Sequence, residues 1–422
     1  MINVISKKLN NNAMCYILPK KGYNEKEVMI AFKYGSKNTD FLVDGININQ
    51  PYGIAHFLEH KMFEDKYINI FDNFSKLGLS ANAYTNFDTT AYYFSGCENI
   101  DKGFDLLMKM VSSLYVTDEN IEKEKGIITQ EINMYKDDPY WQIYFNTLKA
   151  MYSKNSIRES IAGDVEDIEK ITKDNLEESY NNFYTYENCV IIGCGDIDSK
   201  KFFEQAENLK LNKAKVKKVS INDKINKKEY AVNMSVNKTI YHIGFRHSLE
   251  KNITERITTS NIIMNMLFSP SSKLYERLYN KGLIDSSFGF EVVQGVDYSN
   301  TIIKGESNDY NYIASEILNE INNYIINGIN NDDLDRIKNR IKTQMIFNSE
   351  NISSLVSFAA DCYSKNTEIL DIYNNYDKIN KDNIINSLKE QYTANNMVIA
   401  LVKEIQNGWY IFSSSRNKNW KP

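Results

Sequence analysis

The chain has 422 residues, more than one ordinary core supports, and two domains of about 200 residues each are expected. Its composition, 42% hydrophobic and 25% charged, is that of a soluble globular protein, and a net charge of −5 leaves no basic excess for general nucleic-acid binding. No apolar run approaches 18 residues and the first residues lack the charged, apolar, small order of a secretion signal, so no membrane span and a cytoplasmic location are expected. Five scattered cysteines (Cys15, Cys97, Cys189, Cys194, Cys362) speak against a disulfide framework.

In chain order, Met14 to Leu18 and Glu27 to Phe32 read as the first strands, with a turn at Asn11-Asn12 before them and one at Lys21-Gly22 between them. Gly35 to Gln50 reads as a polar connector. Pro51-Tyr52-Gly53 then leads into Ile54-Ala55-His56-Phe57-Leu58-Glu59-His60-Lys61-Met62. A helix turns about 100° per residue, so residues four apart share a face. His56 and His60 therefore aim the same way, with Glu59 beside them, while Ile54, Phe57, Leu58 and Met62 offer an apolar face to a core. Two imidazoles at this spacing grip a divalent metal and set a carboxylate next to its water. The chain has only four histidines, which makes a chance match rare.

Phe71 to Leu77 reads as a short helix closed by Gly78. Ser80 to Thr85 and Thr89 to Ser95 read as strands joined by Asn86-Phe87-Asp88, and Asp101 to Leu114 as a helix. Thr117 is placed to cap a helix that Asp137-Asp138-Pro139 ends. Glu124 and Glu131 are seven apart on it and lie within about 20° of one face. Such a pair is ordinarily solvated surface. Here a histidine pair still needs a third ligand, and Glu131 is the candidate. Gly126, in the middle of this helix, costs about 1 kcal/mol relative to Ala. From Tyr140 to Ser179 the pattern is helical with a break at Ser156 to Gly163, and Asn188 to Asp196 reads as a buried strand and turn.

Lysines crowd residues 209–228 and read as a solvated linker between residues 1–208 and 229–422. The order of elements then repeats. Tyr230 to Phe245 gives strands, Ile253 to Tyr279 a helical region, and Phe288 to Val293 with Asn300 to Gly305 a strand pair. Asn331-Asp332-Asp333-Leu334 opens a long helix, and Met397 to Val402 is a last strand. This reads as a duplication in which only the first copy kept metal-binding residues; His242 and His247 in the second have no acidic partner at the right spacing and read as structural or surface groups. Trp409 to Pro422 is basic and aromatic and has no assigned role.

These residues resemble the pitrilysin/insulinase family of zinc peptidases, whose inverted motif is H-x-x-E-H. The resemblance rests on Gly53 to His60, on Ser80-Ala81-Asn82-Ala83-Tyr84-Thr85 and on Glu124 with Glu131, supported by Ile161-Ala162-Gly163 and Gly195-Asp196-Ile197-Asp198. It implies an α+β fold of two tandem similar domains, each a mostly antiparallel sheet with helices on one face. It implies one Zn2+ per chain held by His56, His60 and Glu131, Glu59 as general base and Glu124 as a carboxylate backing the ligands. Asn82, Ala83 and Tyr84 would lie on an edge strand that pairs with an extended peptide. Members usually present an Arg and a Tyr from a second copy or sister subunit; the matching stretch here has Tyr279 and Asp285 at those places, with Arg277 two residues away. The expectation is a zinc endopeptidase that works as the catalytic subunit of a heterodimer with a zinc-less sister chain, or as a homodimer. The alternative is a family-derived scaffold or peptide-binding subunit.

Overall fold

Alternation of apolar side chains builds two large sheets, and the helices are arranged by which sheet face they cover. The structure, a computed structural model, describes residues 2–65, 70–213, 216–219, 221 and 223–405. The first half runs β1 (Ile5–Lys8), β2 (Met14–Pro19), β3 (Lys26–Phe32), a hairpin of β4 (Asp40–Val43) and β5 (Ile46–Asn49), α1 (Ile54–Lys61), α2 (Ile70–Lys76), β6 (Ser80–Thr85), β7 (Thr90–Gly96) and α3 (Ile100–Val111). It continues through α4 (Asp118–Asp137), α5 (Pro139–Met151), α6 (Val165–Ile168), α7 (Lys173–Phe183), β8 (Cys189–Gly195) and α8 (Ser199–Ala206). After β9 (Lys217–Lys218) come β10 (Glu229–Met234), β11 (Ile240–Arg246), α9 (Ile253–Phe268), α10 (Lys273–Asn280), β12 (Gly289–Gln294), β13 (Ser299–Glu306) and α11 (Tyr310–Asn327). The last elements are α12 (Asn331–Asn348), α13 (Ile352–Ser364), α14 (Ile369–Lys378), α15 (Lys381–Gln391) and β14 (Met397–Glu404).

The first large sheet has the order β1-β2-β8-β3-β7-β6 and the second β10-β14-β11-β13-β12. Each contains one parallel pair, β2 with β8 and β10 with β14, and is otherwise antiparallel. Apart from β1 the two orders coincide strand for strand, so the duplication expected from the sequence is present in the topology. The helix hairpins repeat as well. Thr117 caps α4 and Asp138 caps α5; Asn330 caps α12 and Asn351 caps α13, at the same spacing.

Period-two alternation divides β3 between two cores. Val28, Ile30 and Phe32 face the first half's own helices, whereas Met29 and Ala31 face the second half. The helices are exchanged across that boundary. α13, from the second half, packs on β3 and β8 with Leu355, Val356 and Ala359 buried, and α5, from the first half, packs on β11 and β14 with Leu148 and Met151 buried. Each sheet thus has its own helices on one face and one helix of the other half on the opposite face. At about 1.5–3 kcal/mol for each large apolar side chain, this crossing ties the halves together firmly. A buried polar network reinforces it: Lys37 Nζ lies 2.5 Å from Asp88 and also meets Asp297, while the Tyr298 hydroxyl donates to Asp88. Burial opposes the Lys37 charge and the two aspartates outweigh that effect, holding its pKa above the usual value; burial likewise opposes ionisation of Asp88, and Lys37 holds its carboxyl below the usual range.

Three expectations change. The first strand is β1, not β2, and Asn12 (φ 77°) lies in the turn that joins them. Gly35 to Gln50 is not only a connector: it contains the β4–β5 hairpin, whose two-residue turn Asp44-Gly45 has both φ values positive, 50° and 85°. The lysine-rich stretch is exposed over most of its described length but is not free, because β9 pairs with β4 and Asp223 accepts hydrogen bonds from the backbone of Ser153, Lys154 and Asn155. His242 and His247 are buried against Thr147 and Thr301, and all five cysteines are free. Trp409 to Pro422 lies outside the described residues. Among the described residues no helix is long and apolar enough to cross a membrane.

Candidate metal centre

Two anchors set α1 before any ligand is considered. At its start Gly53 has φ 82°, and a Cβ there would collide with the Ala162 backbone and come within 2.8 Å of Ile168. Gly163 (φ 72°) approaches Tyr52 just as closely from the other side, which gives the Ile161-Ala162-Gly163 motif a packing reason. At its end the Lys61 side chain is fully buried, with Nζ 2.5 Å from Glu64 and 3.1 Å from the Asn120 carbonyl. Asn120 is in turn the residue that closes the capping box with Thr117 at the start of α4. The two helices are therefore locked to each other at a defined register.

That register brings His56, His60 and Glu131 together. His56 Nε2 lies 3.7 Å from Glu131 Oε1, and His60 Nε2 lies 3.8 Å from Glu131 Oε2. Ligand atoms on a tetrahedral zinc, at metal distances of about 2.0–2.1 Å, stand roughly 3.3 Å apart. The three groups, with ligand atoms all within 4.8 Å of one another, fit such an ion, and among the described residues they are the one cluster of this kind. Glu124 is not at the metal position. Its Oε1 lies 2.9 Å from His60 Nδ1, where it orients the imidazole and raises its basicity. Nδ1 of His56 is buried and has no such partner among the described residues.

The charges follow from these contacts. Burial and the neighbouring His60 push His56 down to about 4, so its Nε2 lone pair is free for a metal near neutral pH. Burial also works against a charged His60, but the Glu124 hydrogen bond and the surrounding carboxylates prevail and raise its pKa. Burial raises the Glu59 carboxyl above the usual range, partly offset by the Thr85 hydroxyl, which donates to Oε2 at 2.6 Å. A carboxyl held above its usual range is suited to taking a proton and giving it back.

A cleft of about 740 Å³ opens beside Glu59 and His60, walled by Phe63, Phe71, Asn82, Asn120 and Glu124. Phe63 and Phe71 stack in it at 4.2 Å. β6 is the edge strand on this side. Asn82 lines the cleft, and the Ala83 N–H, instead of reaching a neighbouring strand, donates to Asn82 Oδ1. Tyr84 is turned elsewhere: its hydroxyl meets Ser357 on α13, so its side chain belongs to the contact between halves. Arg277 is bound by Glu320 and Glu316, Tyr279 stacks on Tyr275, and Asp285 is held by Ser287 and Lys238; none of the three lines the cleft.

Two residues of the site were missed in the sequence. Thr85 is the last residue of the β6 motif, and its hydroxyl holds Glu59. Tyr135 stands one helical turn beyond Glu131, its hydroxyl donates to Glu131 Oε1 at 2.8 Å, and its ring stacks on Trp141 at 4.2 Å. The i, i+4 spacing was the available signal for Tyr135; for Thr85 there was none, because the contact crosses between elements.

Residues 47–165 match the family model described as "Insulinase (Peptidase family M16)", and residues 170–341 match "Peptidase M16 inactive domain". The chain is 36% identical over 323 residues to the zinc protease YmfH of Bacillus subtilis, covering 74% of this chain and 76% of that one. It is 29% identical over 175 residues to the beta subunit of the mitochondrial-processing peptidase of Dictyostelium discoideum, 40% of this chain and 37% of that one. Among solved structures, an M16-like peptidase from Alicyclobacillus acidocaldarius superposes with a TM-score of 0.88 at 28% identity, over 96% of this chain and 99% of the other. Pitrilysin superposes with a TM-score of 0.76 at 15% identity, over 95% of this chain and 45% of its own, a likeness of fold.

Proposed function

The chain belongs to the insulinase family, peptidase family M16, and on that footing we propose that it is a zinc-dependent endopeptidase that hydrolyses unfolded peptides. The observation that carries this reading is the meeting of His56, His60 and Glu131, with Glu59 alongside on the cleft wall. His56, His60 and Glu131 would hold one Zn2+. The metal, when bound, supplies Lewis acidity that acidifies a water and polarises a peptide carbonyl.

The remaining work falls to the chain itself. Glu59 accepts the proton of the attacking water and returns it to the departing amine, with Thr85 fixing which oxygen faces the cleft. Glu124 and Tyr135 hold His60 and Glu131 in the orientation the metal needs. The peptide lies extended along β6: Asn82 swings off the Ala83 N–H, which then donates to the peptide backbone. Main-chain pairing of this kind favours unfolded segments over folded ones. A donor for the developing oxyanion is not supplied by Arg277, Tyr279 or Asp285, each of which is engaged or turned away from the cleft. We assign that role to a zinc-less sister chain, which makes this chain the catalytic subunit of a heterodimer.

Glu59→Gln tests the base. Cleavage of a quenched fluorogenic peptide should fall by about 10²–10⁴-fold while zinc stays at one per chain; undiminished cleavage would remove Glu59 from the role. Assaying the parent alone and then with a zinc-less homologue tests the partnership. Activity in neither arrangement would favour the scaffold reading.

A further inference from the structure

The second half keeps a cavity where the first half has its metal centre, and the cavity's chemistry is reversed in sign. Setting the helix hairpins in register by their caps, Thr117 on Asn330 and Asp138 on Asn351, places Gln344 where Glu131 stands and Ile337 where Glu124 stands. The same register sets Phe358 on Phe145 and Arg340 on Ile127. On α9, Asn261 and Asn265 are four apart, as His56 and His60 are on α1, and both open into the same cavity as Gln344. The two imidazoles and the carboxylate of the first half thus become three neutral amides.

The volume is about 260 Å³, walled by Ile257, Met345, Phe358 and Tyr376. No carboxylate lines it, whereas Glu59 and Glu124 line the cleft of the first half. Arg340 is its one charged lining residue and has no hydrogen-bond or ion-pair partner among the described residues. One N–H of each amide is committed, Asn261 to Tyr376, Asn265 to the Asn261 carbonyl and Gln344 to Asn348, which leaves each amide oxygen to receive a ligand's N–H and one N–H to meet its carboxylate.

We propose that this cavity binds the carboxylate of an α-amino acid unit with an apolar side chain, as found at the C-terminus of a peptide. Arg340 pairs with the carboxylate through its fork of N–H groups. An amide oxygen of Asn265 or Gln344 accepts the unit's own N–H, and the side chain enters the apolar wall. The volume, below the range of about 300–1,000 Å³ usual for drug-sized ligands, suits one or two residues. A divalent cation is disfavoured here, since neutral amides and an arginine surround the space where the first half offers carboxylate and imidazole.

The test is calorimetric titration of the intact, zinc-loaded protein with N-acetyl-L-leucine, N-acetyl-L-leucinamide and free leucine. Gly-Gly-Leu with a free or an amidated C-terminus is titrated into the Glu59→Gln protein, so that the peptide stays whole. Saturable binding of the free acids is expected, weaker by about tenfold or more for the amides and for Arg340→Ala. Gln344→Glu should repel the carboxylate to a similar degree. Binding of the peptide acid but not of leucine identifies a chain terminus as the ligand; binding of free leucine as tightly as of the peptide identifies the free amino acid. Equal binding of acid and amide, or binding unchanged in Arg340→Ala, overturns the proposal, as does no binding at millimolar ligand. Arg340 is exposed and has no partner among the described residues, so its removal should leave folding and zinc content as in the parent. Loss of peptide cleavage with this binding intact would count against the proposed activity alone.

Discussion

The two halves share a sheet order and a helix hairpin with identical cap spacing, yet one gathers two histidines and two glutamates where the other has amides and an isoleucine. The fold therefore does not require the metal. The second half stands on a core of buried Ile, Leu, Met, Val and Tyr side chains, and its α9 and α12 pack directly on each other with amides at the matching positions. In the first half the same space is filled by groups that are costly to bury: a histidine pair, one member of which is pushed down to about 4, and a carboxyl raised by desolvation. Such groups are retained for chemistry, and the contrast separates what the architecture needs from what the reaction needs.

The largest expected effect comes from making the first half like the second. Glu131→Gln copies Gln344 into the metal centre; zinc content of the purified protein should fall from one per chain to near zero and peptide cleavage should go with it, while circular dichroism stays that of the parent. Retained zinc would show that the third ligand is elsewhere.

Next is the joint between the halves. Lys37→Met leaves Asp88 buried without its cation and should lower unfolding free energy by about 3–5 kcal/mol, read from urea denaturation. The same network predicts a pH dependence. The folded carboxyl of Asp88 titrates below its ordinary 3.8, so its contribution is fully present above that value and is lost as pH falls through the folded pKa. Asp88→Asn should flatten the stability profile below about pH 4; an unchanged acid limb would mean that other carboxylates govern it. A smaller effect is expected of Glu124→Gln, which keeps a hydrogen bond to His60 but removes the charge. Zinc affinity should drop about 10–100-fold, measured by competition with a chelator.

How much of this was legible beforehand depended on whether the signal was local. His56, Glu59 and His60 are one helical turn, and Thr117 with Asn120 is a cap written in four residues, so both could be read directly. The duplication was legible from element order. The hairpin at Asp44-Gly45 should have been read from its turn residues and was hidden by the polar, half-exposed strands around it. What could not be read was long-range. Nothing in α5 or α13 tells that each covers the other half's sheet, since an apolar helix face does not name its partner. Thr85, paired across space with Glu59, and Tyr84, claimed by α13, were undecidable for the same reason.

The smallest effect bears on a residue that the sequence alone left without a reason. Gly126 lies within α4, between Glu124 and Glu131, and a Cβ built there meets nothing within 4 Å. Close packing inside this chain is therefore not what keeps it glycine. Its counterpart in α12 is Asn339, which carries a side chain at the same exposed position. Gly126→Ala should stabilise the protein by about 0.5–1 kcal/mol, because alanine loses less backbone freedom on folding, and should raise Tm by about 1–2 °C. Zinc content and basal cleavage should be unaffected. If instead stability rises but cleavage in the presence of a sister chain falls, the open face at Gly126 is where that chain or the peptide comes close, and the two halves differ there by use rather than by drift.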